Sequence, residues 1–140
     1  MIYLDTNVLV AYINPRDKLH DKAINLLSQH RDEDFAVSQL VILELYSVFS
    51  RVMELSDDEL EALVNYAIKV SNAKNISIEW DDICRLAPRY ANKLKLKVLD
   101  LLHVIAAYST GIKRFMSFDK DINDRAEVIE KLLGIEVIGI

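Results

Sequence analysis

With 140 residues, 51% of them hydrophobic, the chain has the size and apolar content of one domain built round one core. A net charge of −5 excludes a general nucleic-acid coat protein, which would be basic, but not an enzyme whose acids gather round a cation. No apolar run reaches the roughly 18 residues of a membrane span. The first residues lack the basic flank, apolar stretch and cleavage site of a signal peptide. The lone Cys84 has no partner for an internal disulfide, so a reduced, cytoplasmic setting is expected.

Ile2-Tyr3-Leu4 reads as a short buried strand that ends in Asp5, Thr6 and Asn7. In an open parallel sheet, ligands bind beyond the carboxyl ends of the strands, which puts Asp5 where chemistry would sit. Taken alone, the triplet is explained as well by a turn and a helix cap. An apolar run from Val8 to Ile13 follows. Pro15 to His30 reads as a helix capped by Asn14, with Leu19, Ala23, Ile24, Leu26 and Leu27 as its apolar stripe. Arg31 to Asp34 is a polar link, and Phe35-Ala36-Val37 a second strand.

Ser38 caps a helix from about Leu40 to Glu54, on which Val41, Leu45, Val48, Phe49 and Val52 share one apolar sector. Glu44 falls on the border of that sector, so its carboxylate is half sheltered and needs a partner. Ser56 and Glu59 have capping-box spacing and open a helix that runs to about Ala73. Ile76 to Ile78 is a candidate strand. Asp81 or Asp82 opens the next helix, which carries Ile83, Leu86, Ala87 and Tyr90 and is kinked, or delayed, by Pro88. Lys93 to Lys97 is a link.

Leu99 to Thr110 is a strongly apolar helix with Asp100 in its first turn, stopped by Gly111. Lys113 to Ser117 is a fourth strand, Ile122 to Leu133 a last helix ending at Gly134, and Ile135 to Ile138 a fifth strand. Strands alternating with helices predict a single α/β domain over residues 1–140. Its sheet is expected to be mainly parallel, with four or five strands and helices on both faces.

Four acids stand at strand ends or helix starts: Asp5, Glu44, Asp100 and Asp119, with Asp121 close by. Singly, a helix dipole or a cap accounts for most of them. Gathered on one rim they would repel one another and require a cation. Oxygen ligands without cysteine suit Mg²⁺ or Mn²⁺ rather than zinc. Such a centre can orient a water and neutralise the charge that develops on a phosphodiester.

The runs Leu4-Asp5-Thr6-Asn7, Ser38 through Glu44, Leu99-Asp100-Leu101-Leu102-His103-Val104-Ile105-Ala106-Ala107 and Ser117-Phe118-Asp119-Lys120-Asp121 resemble the PIN-domain ribonucleases. Within that family the likeness is to the VapC-like toxins of toxin–antitoxin pairs, and it covers essentially the whole chain in order and spacing. The resemblance implies a Rossmann-like sheet and a Mg²⁺- or Mn²⁺-dependent endoribonuclease, often dimeric and paired with an antitoxin. It places Asp5, Glu44, Asp100 and Asp119 on the family's acidic metal positions and Asp121 where a further acid is common. Thr6, Asn7 and Ser117 fall on supporting polar positions, with serine where threonine is frequent. Cleavage in this family leaves a 5′-phosphate and a 3′-hydroxyl.

Other residues have competing readings. His103, one turn from Asp100, is expected to be a neutral residue that supports the rim or packs in the core; His20 and His30 are expected at the surface. Arg85, Arg89, Lys93, Lys95 and Lys97, with Lys113 and Arg114, form either an RNA track or a solvated face. Core packing is favoured over base stacking for Trp80, Tyr90 and Tyr108. Leu43, Tyr46, Met53, Leu60 and Leu63 leave the helix pair from about Leu40 to Ala73 apolar on more than one side, as a dimer or antitoxin surface would be. Two alternatives to the nuclease remain: a PIN-like scaffold that binds a protein or RNA without cutting, and a small-molecule phosphohydrolase. The second is disfavoured by Asn7, which stands where an aspartyl-phosphate enzyme would carry another acid.

Overall fold

β1 (Ile2–Leu4) is wholly buried at the middle of a five-stranded sheet, in a computed structural model that describes residues 1–140. β2 (Phe35–Ser38) and β3 (Ala73–Ile76) lie on one side of it, β4 (Arg114–Ser117) and β5 (Glu136–Gly139) on the other, and every pairing is parallel. Strands buried on both faces read as unbroken apolar runs, which is why Ile2-Tyr3-Leu4 and Phe35-Ala36-Val37 show no alternation. Parallel pairing requires crossovers, supplied by α1 (Thr6–Ile13), α2 (His20–Gln29), α3 (Gln39–Val52), α4 (Asp57–Val70), α5 (Trp80–Leu94), α6 (Val98–Ser109), α7 (Lys120–Asp124) and α8 (Ala126–Leu133). One continuous core of 32 buried residues joins these layers. No helix is long and apolar enough to cross a membrane.

The chain leaves β1 in one direction, through β2 to β3, then returns to β4 and continues outward to β5. The order therefore reverses between β1 and β4, and a crevice opens at their carboxyl ends. The Ser38 cap of α3 and the Ser56–Glu59 capping box of α4 form as predicted.

Several boundaries differ from the sequence reading, each for a local reason. The helix predicted from Pro15 begins only at His20, because Asn14 and Asp17 fold their side-chain oxygens onto the backbone N–H groups of Arg16 and Leu19. The helix predicted over 122–133 is two, α7 capped by Asp119 and α8 beginning after Arg125. β3 starts three residues before the predicted strand. It is an edge strand whose Lys74 and Asn75 face solvent, so hydropathy does not mark it. α5 passes through Pro88, which is exposed, and ends at Lys95 in the left-handed region, φ +56°.

Gly139 of β5 allows a close approach. A Cβ there would lie 2.0 Å from the Ser117 carbonyl oxygen and 2.5 Å from Asn123 Oδ1, while Asn123 Nδ2 itself donates to that carbonyl at 2.9 Å. Gly139→Ala is expected to lower unfolding stability by about 1–3 kcal/mol. A urea titration would show a reduced midpoint with an unchanged slope; an unchanged midpoint would mean that β5 shifts freely.

Candidate active site

Asp5 sits at the point where β1 becomes α1. Its N–H extends the ladder to the Met116 carbonyl at 3.0 Å, and its carboxylate, buried by the sheet, caps α1. Oδ1 accepts the Thr6 N–H at 2.8 Å; Oδ2 accepts Asn7 Nδ2 at 2.9 Å and the Ser117 hydroxyl at 2.6 Å. Asn7 also reaches across the crevice, donating to Ser117 Oγ at 3.3 Å and accepting the Phe118 N–H at 3.0 Å. The Asp119 N–H donates to Ser117 Oγ at 3.0 Å. Thr6, Asn7 and Ser117 thus hold the ends of β1 and β4 in one hydrogen-bonded unit.

Glu44 finds the partner its position on α3 demands. Its Oε2 accepts the Thr6 hydroxyl at 2.9 Å and is hydrogen-bonded to His103 Nε2, leaving Oε1 without a bond. His103, buried on α6, bonds through Nδ1 to the hydroxyl of Tyr3 at 3.2 Å, and Tyr3 is 2.6 Å from Ser38 Oγ. Burial works against the charged imidazole, but Glu44 and the Asp5 carboxylate, 3.9 Å away, outweigh it and raise the His103 pKa. His103 is buried beneath the rim, where its two carboxylate neighbours favour the protonated form more than solvent would. Burial raises the Glu44 pKa, yet His103 and Thr6 reverse that and hold it below the usual range. For Asp5 the balance goes the other way: burial dominates and raises its pKa.

Asp100 in the first turn of α6 is half-buried, and no donor or cation touches its carboxylate. Burial first, then the charges of Asp119 and Asp5, push its pKa up to about 6. Asp119 caps α7, its Oδ1 accepting the Asp121 and Ile122 N–H groups at 2.8 and 3.2 Å. Asp5, Glu44, Asp100 and Asp119 line one cavity of about 340 Å³, together with Thr6 and Asn7. Asp121 is exposed at its lip, close enough that one oxygen each from Asp100, Asp119 and Asp121 lie within 4.8 Å of one another. Asp5, Glu44 and His103 form a second such group.

This donor set fits a hard divalent cation. The donors are carboxylate oxygens, each acid keeps an oxygen able to ligate, and Asp100 and its neighbours repel one another. Asp17 also lines the cavity but escaped the sequence reading, which placed it inside a helix rather than in the 14–19 turn.

The basic residues divide. Arg85, Arg89 and Lys93 are exposed at four-residue spacing along α5, with Arg85 paired to Asp82 at 2.6 Å. Lys95 bonds the Asn92 amide, and Lys97 lies 3.5 Å from Asp121, beside the acids. Lys113 and Arg114 do not join this track. They stand at the amino end of β4, where Arg114 pairs with Glu33 and Glu136. Tyr90 and Tyr108 pack edge to face between α5 and α6, centroids 5.6 Å apart, but Trp80 is 40% exposed and not part of the core.

The raised Asp100 carboxyl binds a proton in the folded chain at pH values where the unfolded chain has lost it. Stability without metal therefore falls as pH rises from about 4 to about 6. In EDTA, the wild-type Tm is expected to fall over that range relative to Asp100→Asn, and Mg²⁺ or Mn²⁺ to raise only the wild type. Parallel Tm curves for the two proteins would show that the Asp100 carboxyl is not raised in the folded chain.

Residues 2–128 match the family model described as PIN domain. No curated protein matches the chain. Among solved structures, VapBC2 from Rickettsia felis, bound to a DNA fragment from the promoter of the pair, is 17% identical with a TM-score of 0.68, over 100% of this chain and 99% of that one. VapBC-1 from nontypeable Haemophilus influenzae is 15% identical with a TM-score of 0.68, covering 99% and 98%. Mycobacterium tuberculosis VapC20, a toxin that cleaves the sarcin–ricin loop, is 16% identical with a TM-score of 0.68, covering 89% and 94%. The fold is that of the VapC structures, with its five-stranded parallel sheet and eight helices. By its sequence match over nearly its whole length, the chain belongs to the PIN-domain family.

Proposed function

We propose that the protein is a Mg²⁺- or Mn²⁺-dependent endoribonuclease, formed by a single domain over residues 1–140 and acting in the cytoplasm as the toxin of a toxin–antitoxin pair. The observation that carries this reading is the convergence of four acids, from four separate stretches of chain, on one cavity at the point where the sheet order reverses. Asp5, Glu44, Asp100 and Asp119 would hold the ion, with Asp121 at the lip. A divalent ion held there would lower the pKa of a water and neutralise charge developing on a phosphodiester.

The chain's own residues fix that arrangement. Ser117, Asn7 and the Thr6 N–H orient Asp5, while Thr6 and His103 take one oxygen of Glu44 and leave the other free. Arg85, Arg89 and Lys93 on α5, with Lys95 and Lys97 after it, would guide the RNA backbone towards the acids. An antitoxin has an apolar seat available. A cavity of about 500 Å³ is lined by Val10, Ile13, Phe49, Val52, Met53 and Leu63, and Val52 is 68% exposed at the end of α3. Likeness to VapBC complexes supports that partner; a homodimer is the assembly proposed with it.

The test is cleavage of a labelled single-stranded RNA pool with Mg²⁺, Mn²⁺ or EDTA, by wild type and Asp5→Asn. Expected are metal-dependent products with 5′-phosphate and 3′-hydroxyl ends, lost in the variant. Thr6→Val and Ser117→Ala, which only support the acids, should lose about 10–100-fold. No cutting by wild type that binds the ion would favour a scaffold that binds without cleaving. Equal cutting by wild type and Asp5→Asn would remove the site from the reaction.

A further inference from the structure

We propose that the cleft at the end of β3 is a subsite for one unpaired base of the RNA, adenine by preference; this rests on the endoribonuclease reading. Gln39, Asn75, Ile76, Ser77, Ile78 and Trp80 line an open cleft of about 220 Å³. An apolar cavity near 150 Å³ admits benzene, so this one holds a single heterocycle but not a helix or strand. It lies at the carboxyl end of the parallel strands, as the acids do. Ser38 at the end of β2 pairs in register with Ile76 at the end of β3, two strand spacings, about 10 Å, from β1.

The lining has the chemistry of base recognition. All four phenylalanines are buried, yet the only tryptophan is exposed on this cavity. Around the acids, the polar side chains of Thr6, Asn7 and Ser117 are each engaged by the protein. Gln39, Asn75, Ser77 and Trp80 are exposed, so their polar groups are open to a ligand. An indole face stacks on any base. Carboxamides add selectivity, since Gln and Asn pair with adenine N6 and N7. α5 then joins this cavity, at Trp80, to the link that carries Lys97 to within 3.5 Å of Asp121.

Because Trp80 is the only tryptophan, its fluorescence reports the subsite independently of cleavage. The intact protein in EDTA would be titrated with five-nucleotide oligo-adenylate, oligo-uridylate and an abasic variant, with anisotropy of labelled RNA measured in parallel. Saturable quenching is expected, strongest with adenylate and lost when the responding base is removed. In cleavage assays with divalent ion, Trp80→Ala should raise KM about tenfold with little change in kcat, while Trp80→Phe keeps most of the affinity. RNA that is cut normally without quenching, or equally well by Trp80→Ala, overturns the subsite and leaves the nuclease standing. Quenching without cleavage in any metal supports the subsite and overturns the hydrolytic reading. No quenching, anisotropy change or cleavage overturns both.

Discussion

A carboxylate buried as deeply as that of Asp5 must be supplied with hydrogen bonds, and those bonds determine how the crevice is built. One donor comes from the first turn of α1, one from Asn7 and one from Ser117 on the neighbouring strand. Removing a donor leaves a charged group unsatisfied at a cost of about 1–3 kcal/mol or more. The ends of β1 and β4 are thereby fixed to each other where the chain reverses its direction across the sheet. Asn7 closes the loop, because it touches Asp5, Ser117 and the Phe118 backbone at once. Asp5 and Asp119, the caps of α1 and α7, are thus tied to each other through Ser117, and fixing groups in this way is how a site orients them for chemistry.

The second anchor runs inward. Ser38, Tyr3, His103 and Glu44 form a chain of bonds from the cap of α3, through the central strand, to α6 and back to α3. No buried side-chain nitrogen or oxygen lacks a partner. Tyr3 stacks on Phe115 at 5.3 Å, so the same ring that packs the core also sets the imidazole. Core and rim are coupled through this one tyrosine.

Much of this was legible in the sequence. Asp5, Asp100 and Asp119 are marked by their places at a strand end and at helix starts, Glu44 by the border of its apolar sector, and the alternation of elements predicts the parallel sheet. Ser38 and Ser56 announced their helices through capping chemistry. What was hidden depended on contacts distant in sequence. That Glu44 rests on His103 follows only from the packing of α3 against α6, and no spacing predicts it. Asp17 was concealed by a helical stripe that starts later than Leu19 and the residues around it suggest. Trp80 was expected inside because large aromatics usually pack; the edge position of β3 leaves it outside.

The crowding of acids at the crevice has a consequence for how long the chain survives. Carboxylates that repel one another oppose the folded state, and an ion that binds only the folded state favours it by RT ln(1 + [ion]/Kd), about 2.7 kcal/mol at a hundredfold excess over Kd. That is a change of about two orders of magnitude in the population of opened molecules, the form that proteases attack. The residues that would give this fold its chemistry would then also set its turnover, with the supply of divalent ion as the control.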